Sequence, residues 1–492
     1  MRVSKEYALV ASGCPTSANE SEARLMTSQA AKDAAEAPAQ LIEALAATPG
    51  ADDWQCALRR DDEAQMYLIG TRIEALRQVN STQAQAVLYS DHPPASGEDA
   101  SLARGSTAVT FSGGELADPA RLAARLADGV AMARLIDNPP FALPTIPASG
   151  FPETRINDDD LARDLPGALE AIRAELEQAV AAQPEVRLSS AELYATHSST
   201  AFRNSRGLSG AYEGTLTSLD LALLARAGDQ QAEFHAMIAR RRLADLQIAP
   251  TIAAYATYAR DVLRATPPAT HSGPVILSGD ALGSMSAPAL GGFPGFFAPV
   301  AFQTSGQAAF QKLARCAIGD FISGEEPRGD RITVYADALR PWGNNSAPFD
   351  KDGVPATSAL LIEDGVLRRY WTDMRSAAWL GESAPTGEFA GLSIAPGTWR
   401  LEDLRSVADG PVYEIVSFSL MLPDPISGDF VAEIRLGYRH DASGVHPIKG
   451  GSLSGNVLTA FQDARLSAAL FNDGAYYGPM SIRFGALSIA GE

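Results

Sequence analysis

Six histidines are the side chains from which metal or acid–base chemistry in this sequence would start. They are His92, His197, His235, His271, His440 and His446. A zinc peptidase holds its ion with two histidines and sets a carboxylate beside the metal-bound water, and none of the six falls in an HExxH pattern. His440 and His446 flank one predicted turn, so they could share an ion with Asp441 or simply be exposed at a hairpin end. His235 follows Glu233 on a predicted helix that offers no second histidine.

The segment 274–292 has the layout of a catalytic segment without the side chains for one. A short apolar β-run at 275–277 breaks at Ser278-Gly279-Asp280 into small residues, and Asp280 is the only ionisable residue of the segment. A GxSxG nucleophile elbow, a P-loop, a GxGxxG fingerprint and an EF-hand are absent from the sequence. The residues by themselves therefore give no strong reason to predict catalysis.

A glycine-rich segment at 449–456 is the candidate binding site. The residues predicted to contact substrate are Gly450, Gly451, Ser452, Leu453 and Ser454. Because they follow a predicted strand, their backbone would offer donors and acceptors to a peptide that adds to the sheet as a strand, a mode that tolerates many sequences. The alternative is a tight turn in which the glycines supply positive φ.

The first half of the chain alternates helical and β patterns. Helices are predicted at 27–47, 118–135, 159–183, 231–246 and 251–265, and strands at 54–59, 65–69, 71–79, 84–89, 106–111, 185–188, 192–197, 199–203 and 211–225. The polar residues 60–63 are interpreted as the turn of a hairpin. Arg240, Arg241 and Arg242 are expected to form a short solvated patch on the fourth helix.

The second half is predicted to be mostly antiparallel β. Its clearest unit is the hairpin at 359–371, where Asp364-Gly365 separates two β-rich runs. Further strands are predicted at 412–422, 430–440, 445–448 and 480–489, with one helix at 458–469. The fold class is α+β, with a disordered leader at 1–26, an N-terminal sheet-and-helix domain at 27–268 and a β-rich C-terminal domain at 269–492. Thr266-Pro267-Pro268 marks the boundary.

The composition of the chain argues against nucleic acid and membranes as its partners. The 492 residues include 59 acidic and 40 basic ones, for a formal net charge of -19. Such a surface repels nucleic acid and anionic membranes, and no run approaches the length of a membrane span. The three cysteines, Cys14, Cys56 and Cys316, form no CxxC pair, which suits a reducing cytoplasm. We therefore expect a cytoplasmic protein that binds neither nucleic acid nor membrane.

The order of several short motifs resembles the TldD/PmbA family, also called TldD/TldE or modulator-of-gyrase proteins. The motifs are Asn-Ser-Arg-Gly-Leu-Ser-Gly at 204–210, Pro-Phe-Asp-Lys-Asp-Gly-Val-Pro at 348–355, the hairpin at 361–367, Ser-Gly-Asp-Phe at 427–430, Gly-Asn at 455–456 and the ending from Gly478-Pro479 to Ala490-Gly491. The resemblance covers roughly residues 185–492 and, more weakly, 54–137. Each motif is short, and their shared order is the specific feature.

The resemblance implies one half of a paired zinc metallopeptidase that degrades unfolded peptides and trims leader peptides. TldD-like subunits carry a His-Glu-x-x-x-His zinc motif just after a strand, and this sequence has Ser-Met-Ser-Ala-Pro-Ala at 284–289 instead. The chain therefore resembles the TldE/PmbA-type subunit, with no catalytic or metal residues of its own and zinc on a TldD-like partner. Two alternatives remain open: a stand-alone peptide-binding or scaffold protein, and a hydrolase that uses His440, Asp441 and His446.

Overall fold

The computed structural model describes residues 39–94, 102–283, 286–287, 293–408 and 410–492. The leader expected at 1–26 and the first part of the helix expected at 27–47 lie outside these residues. So does most of the segment 284–289, of which only the backbone at 286–287 is described.

The first half has two runs of three strands separated by helices, and strands dominate the second half. The α-helices are α1 (Ala39–Ala47), α2 (Gly113–Leu116), α3 (Pro119–Ala133), α4 (Asp159–Arg163), α5 (Leu165–Ala181), α6 (Ile248–Arg264), α7 (Ala298–Gln303), α8 (Gly306–Phe310), α9 (Met374–Leu380), α10 (Leu401–Leu404) and α11 (Val457–Ala460). The strands are β1 (Asp53–Ile69), β2 (Arg72–His92), β3 (Ala103–Ser112), β4 (Val186–Asn204), β5 (Ser209–Ala227), β6 (Gln230–Arg240), β7 (His271–Ser278), β8 (Ser286–Ala287), β9 (Phe293–Pro294), β10 (Val334–Asp337), β11 (Ser358–Glu363), β12 (Val366–Leu367), β13 (Leu392–Ile394), β14 (Val412–Pro423), β15 (Asp429–Asp441), β16 (Gly444–Ile448), β17 (Ser452–Asn456), β18 (Ala464–Leu466), β19 (Leu470–Asn472), β20 (Tyr476–Pro479) and β21 (Ser481–Ala490). The predicted α+β class with mostly antiparallel sheets is confirmed.

The N-terminal sheet has the order β3-β2-β1-β4-β5-β6, and its neighbours pair antiparallel. Side chains along a strand alternate between the two faces, so one face of β1 carries both Leu58 and Met66. Leu58 packs in a core with α1 and α3, and Met66 packs in a second core with α5 and α6. Both pairs of helices therefore cover the same face, and the opposite face is largely polar.

Two local predictions in this sheet are wrong. The polar residues 60–63 do not turn, because β1 runs unbroken to Ile69 and cross-strand partners satisfy the charges; Ser198 of β4, for example, donates to Asp61 at 2.6 Å. The segment expected as a helix at 231–246 is strand β6, in which Phe234, Ala236 and Ile238 are buried at a period of two. An alanine-rich composition hid that alternation.

The second half is built around a closed ring of strands. Strand β15 pairs with both β17 and β14, so the path β14-β7-β21-β17-β15 returns to its first strand. β16 and β18 extend it. A separate sheet has the order β12-β11-β10-β13-β20-β19, and the Asp364-Gly365 turn joins β11 to β12 as predicted. The helix expected at 458–469 is wrong, since α11 ends at Ala460 and β18 begins at Ala464.

Two of the sequence motifs meet where the halves join. The Asn204–Gly210 turn connects β4 to β5, and its Leu208 packs with Phe202 and Phe349, which belongs to the motif at 348–355. Buried Gln55 of β1 donates through Nε2 to Oδ1 of Asp352 in the same motif at 2.7 Å. These motifs therefore hold the two halves together.

Candidate functional site

The main cavity near the segment 274–292 opens at the end of β7. Apolar residues 275–277 are fully buried and fix the strand in the ring. The chain then turns at Gly279, whose φ of 54° is in the left-handed region, and Asp280 follows on this turn. The cavity beside it measures about 610 Å³. Its walls come from β6 and α6 of the first half and from β14, β19 and the start of α10 in the second.

Two carboxylates face this cavity: half-buried Asp280 after β7, and buried Asp473 between β19 and β20 of the separate sheet. Tyr255 of α6 donates its hydroxyl to Oδ2 of Asp280 at 2.9 Å. Burial raises the pKa of Asp280 to about 6, above the usual value of 3.8. Oδ1 of Asp473 accepts the backbone N–H groups of Ala475 and Tyr476, and burial raises the pKa of Asp473 as well. With a pKa of about 6, Asp280 changes charge slightly below neutral pH.

Gly283 allows Asp473 to reach this position. A Cβ at Gly283 would lie 2.1 Å from Oδ2 of Asp473 and 3.3 Å from Cε1 of Phe471. A side chain at Gly283 would displace the Asp473 carboxylate and the Phe471 ring. Because Gly283 has no side chain, both groups can pack directly against its backbone.

An ion-pair network supports the floor of the cavity. Glu414 of β14 is 1% exposed and accepts from Ser278 at 2.8 Å, from Arg405 at 2.7 and 2.8 Å, and from Nε2 of His440 at 3.0 Å. Burial opposes ionisation of Glu414, but the hydrogen bonds from His440, Arg405 and Ser278 lower its pKa to about 2. The network keeps Glu414 charged, and both of its carboxylate oxygens accept hydrogen bonds from neighbouring side chains.

The histidine pair singled out by spacing does not converge. His440 bonds to buried Glu414, while His446 lies opposite Arg439 in the β15–β16 ladder and contacts Ser443. Neighbouring residues of a strand point to opposite faces, so the two imidazoles lie on different sides of the sheet. Within the described ranges, no group of three or more His, Cys, Asp or Glu side chains could hold a metal ion.

The glycine-rich candidate site forms a turn and an interior strand. Gly450 and Gly451 have φ values of 74° and 70°, as the turn alternative expects. Ser452, Leu453 and Ser454 of β17 pair with β15 on one side and β21 on the other. Substrate contact by these five residues stays a prediction, but addition of a peptide strand beside 452–454 would need an edge that both neighbours already occupy.

Two of the three consecutive arginines, Arg240 and Arg241, were assigned the wrong role. Arg240 ends β6 and donates to the backbone oxygens of Asn472 and Asp473. Arg241 donates to the backbone oxygens of Gly343 and Asn344 at 2.9 and 2.6 Å, and burial lowers its pKa to about 10. These side chains tie the first half to the second. The sequence signal was weak, because the partners lie more than one hundred residues away.

Sequence reasoning also missed Tyr255, Arg405, Glu414 and Asp473. Each is an ordinary residue in its local pattern. The pairing of β7 with β14 brings Glu414 to the end of β7, and contacts between elements far apart in the chain bring Tyr255, Arg405 and Asp473 there. Cys56 and Cys316 are buried and free, and the described helices include none long and apolar enough to cross a membrane.

Family models match two parts of the chain. The PmbA/TldA metallopeptidase central domain matches residues 155–259, and the C-terminal domain of the same name matches residues 320–491. Together these ranges cover more than half of the chain.

Sequence relatives match over shorter stretches. An uncharacterized protein of Methanocaldococcus jannaschii is 26% identical over 148 residues, which is 29% of this chain and 36% of that protein. The metalloprotease TldD homolog of Buchnera aphidicola from Acyrthosiphon pisum is 27% identical over 184 residues, 35% of this chain and 38% of that protein. The chain thus aligns with little more than a third of the length of these relatives.

Solved structures match over nearly the whole fold. TldE from Thermococcus kodakarensis superposes with a TM-score of 0.69 at 19% identity, over 89% of this chain and 97% of that one. A proposed modulator of DNA gyrase from Bacteroides thetaiotaomicron gives a TM-score of 0.72 at 16% identity, over 94% of this chain and 99% of that one. At these identities the similarity concerns the fold.

Proposed function

Because the chain belongs to the PmbA/TldD metallopeptidase family, we propose that it is the non-catalytic, TldE-like subunit of a two-subunit zinc metallopeptidase. In this proposal a TldD-like partner carries the zinc ion and the catalytic residues. The chain described above completes the complex and forms part of the wall that holds the peptide.

One feature of the sequence carries this proposal. The segment 284–289, which follows β7, reads Ser-Met-Ser-Ala-Pro-Ala and contains no histidine, cysteine or acidic residue. Zinc in proteins is bound by thiolate, imidazole or carboxylate groups, so this segment offers the ion no side-chain ligand. A His-Glu-x-x-x-His motif in the same place would supply two ligands and a base. The residues of this chain do not fit the metal.

The cavity at the end of β7 is suited to form part of the surface that contacts the peptide. Its surface combines apolar groups such as Met237 and Phe471 with the carboxylates Asp280 and Asp473, so it can accept an apolar side chain while polar groups orient the peptide. The ion-pair network around Glu414 supports this surface, because Arg405 and His440 both bond to the Glu414 carboxylate. Contact of the substrate with residues 450–454 remains part of the proposal. It would involve the turn at Gly450 and Gly451 and the side chains of Ser452, Leu453 and Ser454.

The proposed substrates are unfolded peptides or the leader segments of precursor peptides. A wall without catalytic groups discriminates by admitting an extended chain and excluding a folded one. We place the complex in the cytoplasm, where free thiols such as those of Cys56 and Cys316 persist.

The test is reconstitution with the isolated full-length chain. Alone, the chain should contain no stoichiometric zinc by mass spectrometry and should not cleave an unfolded test peptide. Adding a TldD-like subunit from the same cell should produce cleavage beyond that of the partner alone. A chelator should abolish that cleavage, and zinc should restore it.

Two outcomes would refute the proposal. Stoichiometric zinc in the isolated chain, or peptide cleavage without a partner, would show that this chain carries its own active site. Failure to bind or activate any TldD-like subunit would instead favour a stand-alone peptide-binding protein. Direct titration with the same unfolded peptide would then measure that activity.

A further inference from the structure

A second cavity lies next to the cavity at the end of β7. It measures about 810 Å³, which is within the roughly 300–1,000 Å³ of small-ligand sites. Among the described residues, the two cavities have no lining residue in common. Arg240 and Asn344 line the first cavity, and their chain neighbours Arg241 and Asn345 line the second. Because consecutive Cα atoms are about 3.8 Å apart, the two cavities are adjacent.

Four partly buried aromatic side chains line the second cavity. Tyr212 belongs to β5 and Phe302 to α7, while Trp371 follows β12 and Phe389 precedes β13. The exposed part of each ring is therefore available to a ligand in the cavity. Aromatic surface with a few polar groups is typical of a preformed ligand site.

Hydrogen bonds and ring contacts fix these side chains before a ligand binds. The indole N–H of Trp371 donates to the backbone oxygen of Ala301 at 2.8 Å. The backbone oxygen of Trp371 accepts the N–H of Gly306 at 2.8 Å. The rings of Trp371 and Phe389 meet edge to face, with 6.0 Å between their centroids. Because these side chains are already ordered, little conformational entropy is lost when a ligand binds.

The charged residues of the lining already have partners. These residues are Arg59, Arg241, Asp350, Lys351 and Glu388. Nζ of Lys351 lies 3.0 Å from Oε1 of Glu388. Nε of Arg59 lies 2.9 Å from Oδ1 of Asp61. Arg241 donates to backbone oxygens, and Asp350 accepts the backbone N–H groups of residues 352, 354 and 388. A charged ligand would have to compete with these bonds, whereas a neutral aromatic group would not.

The remaining polar groups and the adjacent cavity favour a peptide as the molecule that carries this aromatic group. Gln307 of α8 and Gln311, which follows α8, are exposed and line the second cavity. A glutamine side chain both donates and accepts hydrogen bonds, so it can bond either polar group of a peptide amide. An extended peptide that places one side chain here can reach the adjacent cavity with another.

From this geometry we propose that the second cavity binds one aromatic side chain of an unfolded peptide and so selects which peptides the complex accepts. The aromatic ring contacts Phe302, Trp371 and Phe389, while Gln307 and Gln311 bond the peptide backbone. The choice of an unfolded peptide as the ligand rests on the proposed function. The preference for an aromatic side chain rests on the cavity alone.

Titration calorimetry on the isolated full-length chain tests this preference. The probes are two short unstructured peptides that differ at one central residue, Phe or Ala. The Phe peptide should bind at least about tenfold more tightly, because its ring is buried against aromatic surface. Phe389→Ala should remove most of that difference, and circular dichroism checks that the variant folds.

Phe310→Ala is the matched control for Phe389→Ala. Phe310 is 37% exposed on α8, and its ring contacts Trp379 rather than the cavity. This variant should keep the preference for the Phe peptide. Equal affinity of the wild type for the two peptides, or an equal loss of preference in the two variants, would overturn the proposal.

Photocrosslinking locates the aromatic group without a substitution in the chain. A Phe peptide that carries benzophenone in place of the phenyl ring should attach to residues 298–311, 371 or 389. Attachment only near Tyr255 or Phe471 would place the group in the cavity at the end of β7 and contradict the proposal. Tighter binding of N-acetylphenylalaninamide than of the Phe peptide would also contradict it, because the cavity would then serve a free aromatic compound.

Cleavage assays on the reconstituted complex separate this proposal from the proposed function. If this chain and a TldD-like partner together cleave the Phe and Ala peptides with equal kcat/KM, the subunit role stands and the aromatic selection is wrong. If this chain binds the Phe peptide selectively but activates no TldD-like partner, the aromatic site stands and the subunit role is refuted.

Discussion

Asp280 shows how the fold changes the chemistry of a single residue. In the sequence it is one aspartate after a short strand, and in the structure it faces a cavity beneath Tyr255. Burial favours the neutral acid and raises its pKa to about 6. Because the folded state holds this proton more tightly than the unfolded state, ionisation of Asp280 costs stability as the pH rises from its ordinary pKa through 6.

Asp280→Asn should therefore stabilise the protein at high pH more than at low pH. With a folded pKa of about 6 against a usual 3.8, and about 1.4 kcal/mol per pKa unit, we expect a gain of up to about 3 kcal/mol at pH 8 and about 1 kcal/mol at pH 4.5. Urea unfolding at both pH values measures it. Asp229→Asn, in the exposed turn before β6, is the control. A gain that does not change with pH would contradict a raised pKa of Asp280 in the folded protein.

The candidate residues were predicted unevenly. Local spacing identified the turn glycines Gly450 and Gly451, because positive φ is a local property. Spacing failed for His440 and His446, because residues six apart across a tight turn are near in sequence yet point to opposite faces. The prediction for Arg240 and Arg241 failed for the converse reason, since their partners near 343 and 473 are distant in sequence.

At the scale of elements, the short motifs organise turns and a junction. Asn204 accepts backbone N–H groups from Arg206 and Leu208 through Oδ1, which closes the β4–β5 turn. The motif at 348–355 then packs against that turn through Phe349. This accounts physically for the presence of both motifs in one chain: each completes the core that the other needs.

Gly353→Ala and Gly207→Ala form a matched test of this junction. Both glycines have positive φ, 81° and 84°, but a Cβ at Gly353 would lie 2.5 Å from Cε1 of Phe202 and 2.7 Å from Cδ2 of Leu208, whereas nothing lies within 4 Å at Gly207. Backbone strain costs each variant about 1 kcal/mol, and overpacking adds about 2 kcal/mol or more at Gly353. Chemical denaturation measures the difference. Equal losses would mean that the contact with Phe202 and Leu208 does not constrain the junction.

At the scale of the molecule, the predicted boundary at 266–268 is not a loose linker. Thr266 donates its backbone N–H to Pro447, and Pro268 accepts from Glu492. One hydrophobic core joins α5 and α6 to Val416 and Leu436 of the ring. The division into 27–268 and 269–492 stays a prediction. Side chains from both sides of this boundary pack in one hydrophobic core.

We therefore expect the two halves to unfold together. Scanning calorimetry of the full chain should show a single transition, because unfolding either half would expose the core around Val416 and break the buried hydrogen bonds of Arg241. Gly353→Ala should move that transition to lower temperature without dividing it. Two separate transitions in the wild type would show that the halves are independent.

The sequence by itself determined the α+β class, the Asp364-Gly365 hairpin, the family and the absence of metal ligands at 284–289, because each depends on local periodicity, turn chemistry or residue identity. The tertiary structure decided that β6 is a strand, that both edges of β17 are occupied, and that Asp280 and Asp473 share a cavity with the network of Glu414. Those outcomes depend on the pairing of strands far apart in the chain. A residue's neighbours in sequence do not encode which distant strand will lie beside it.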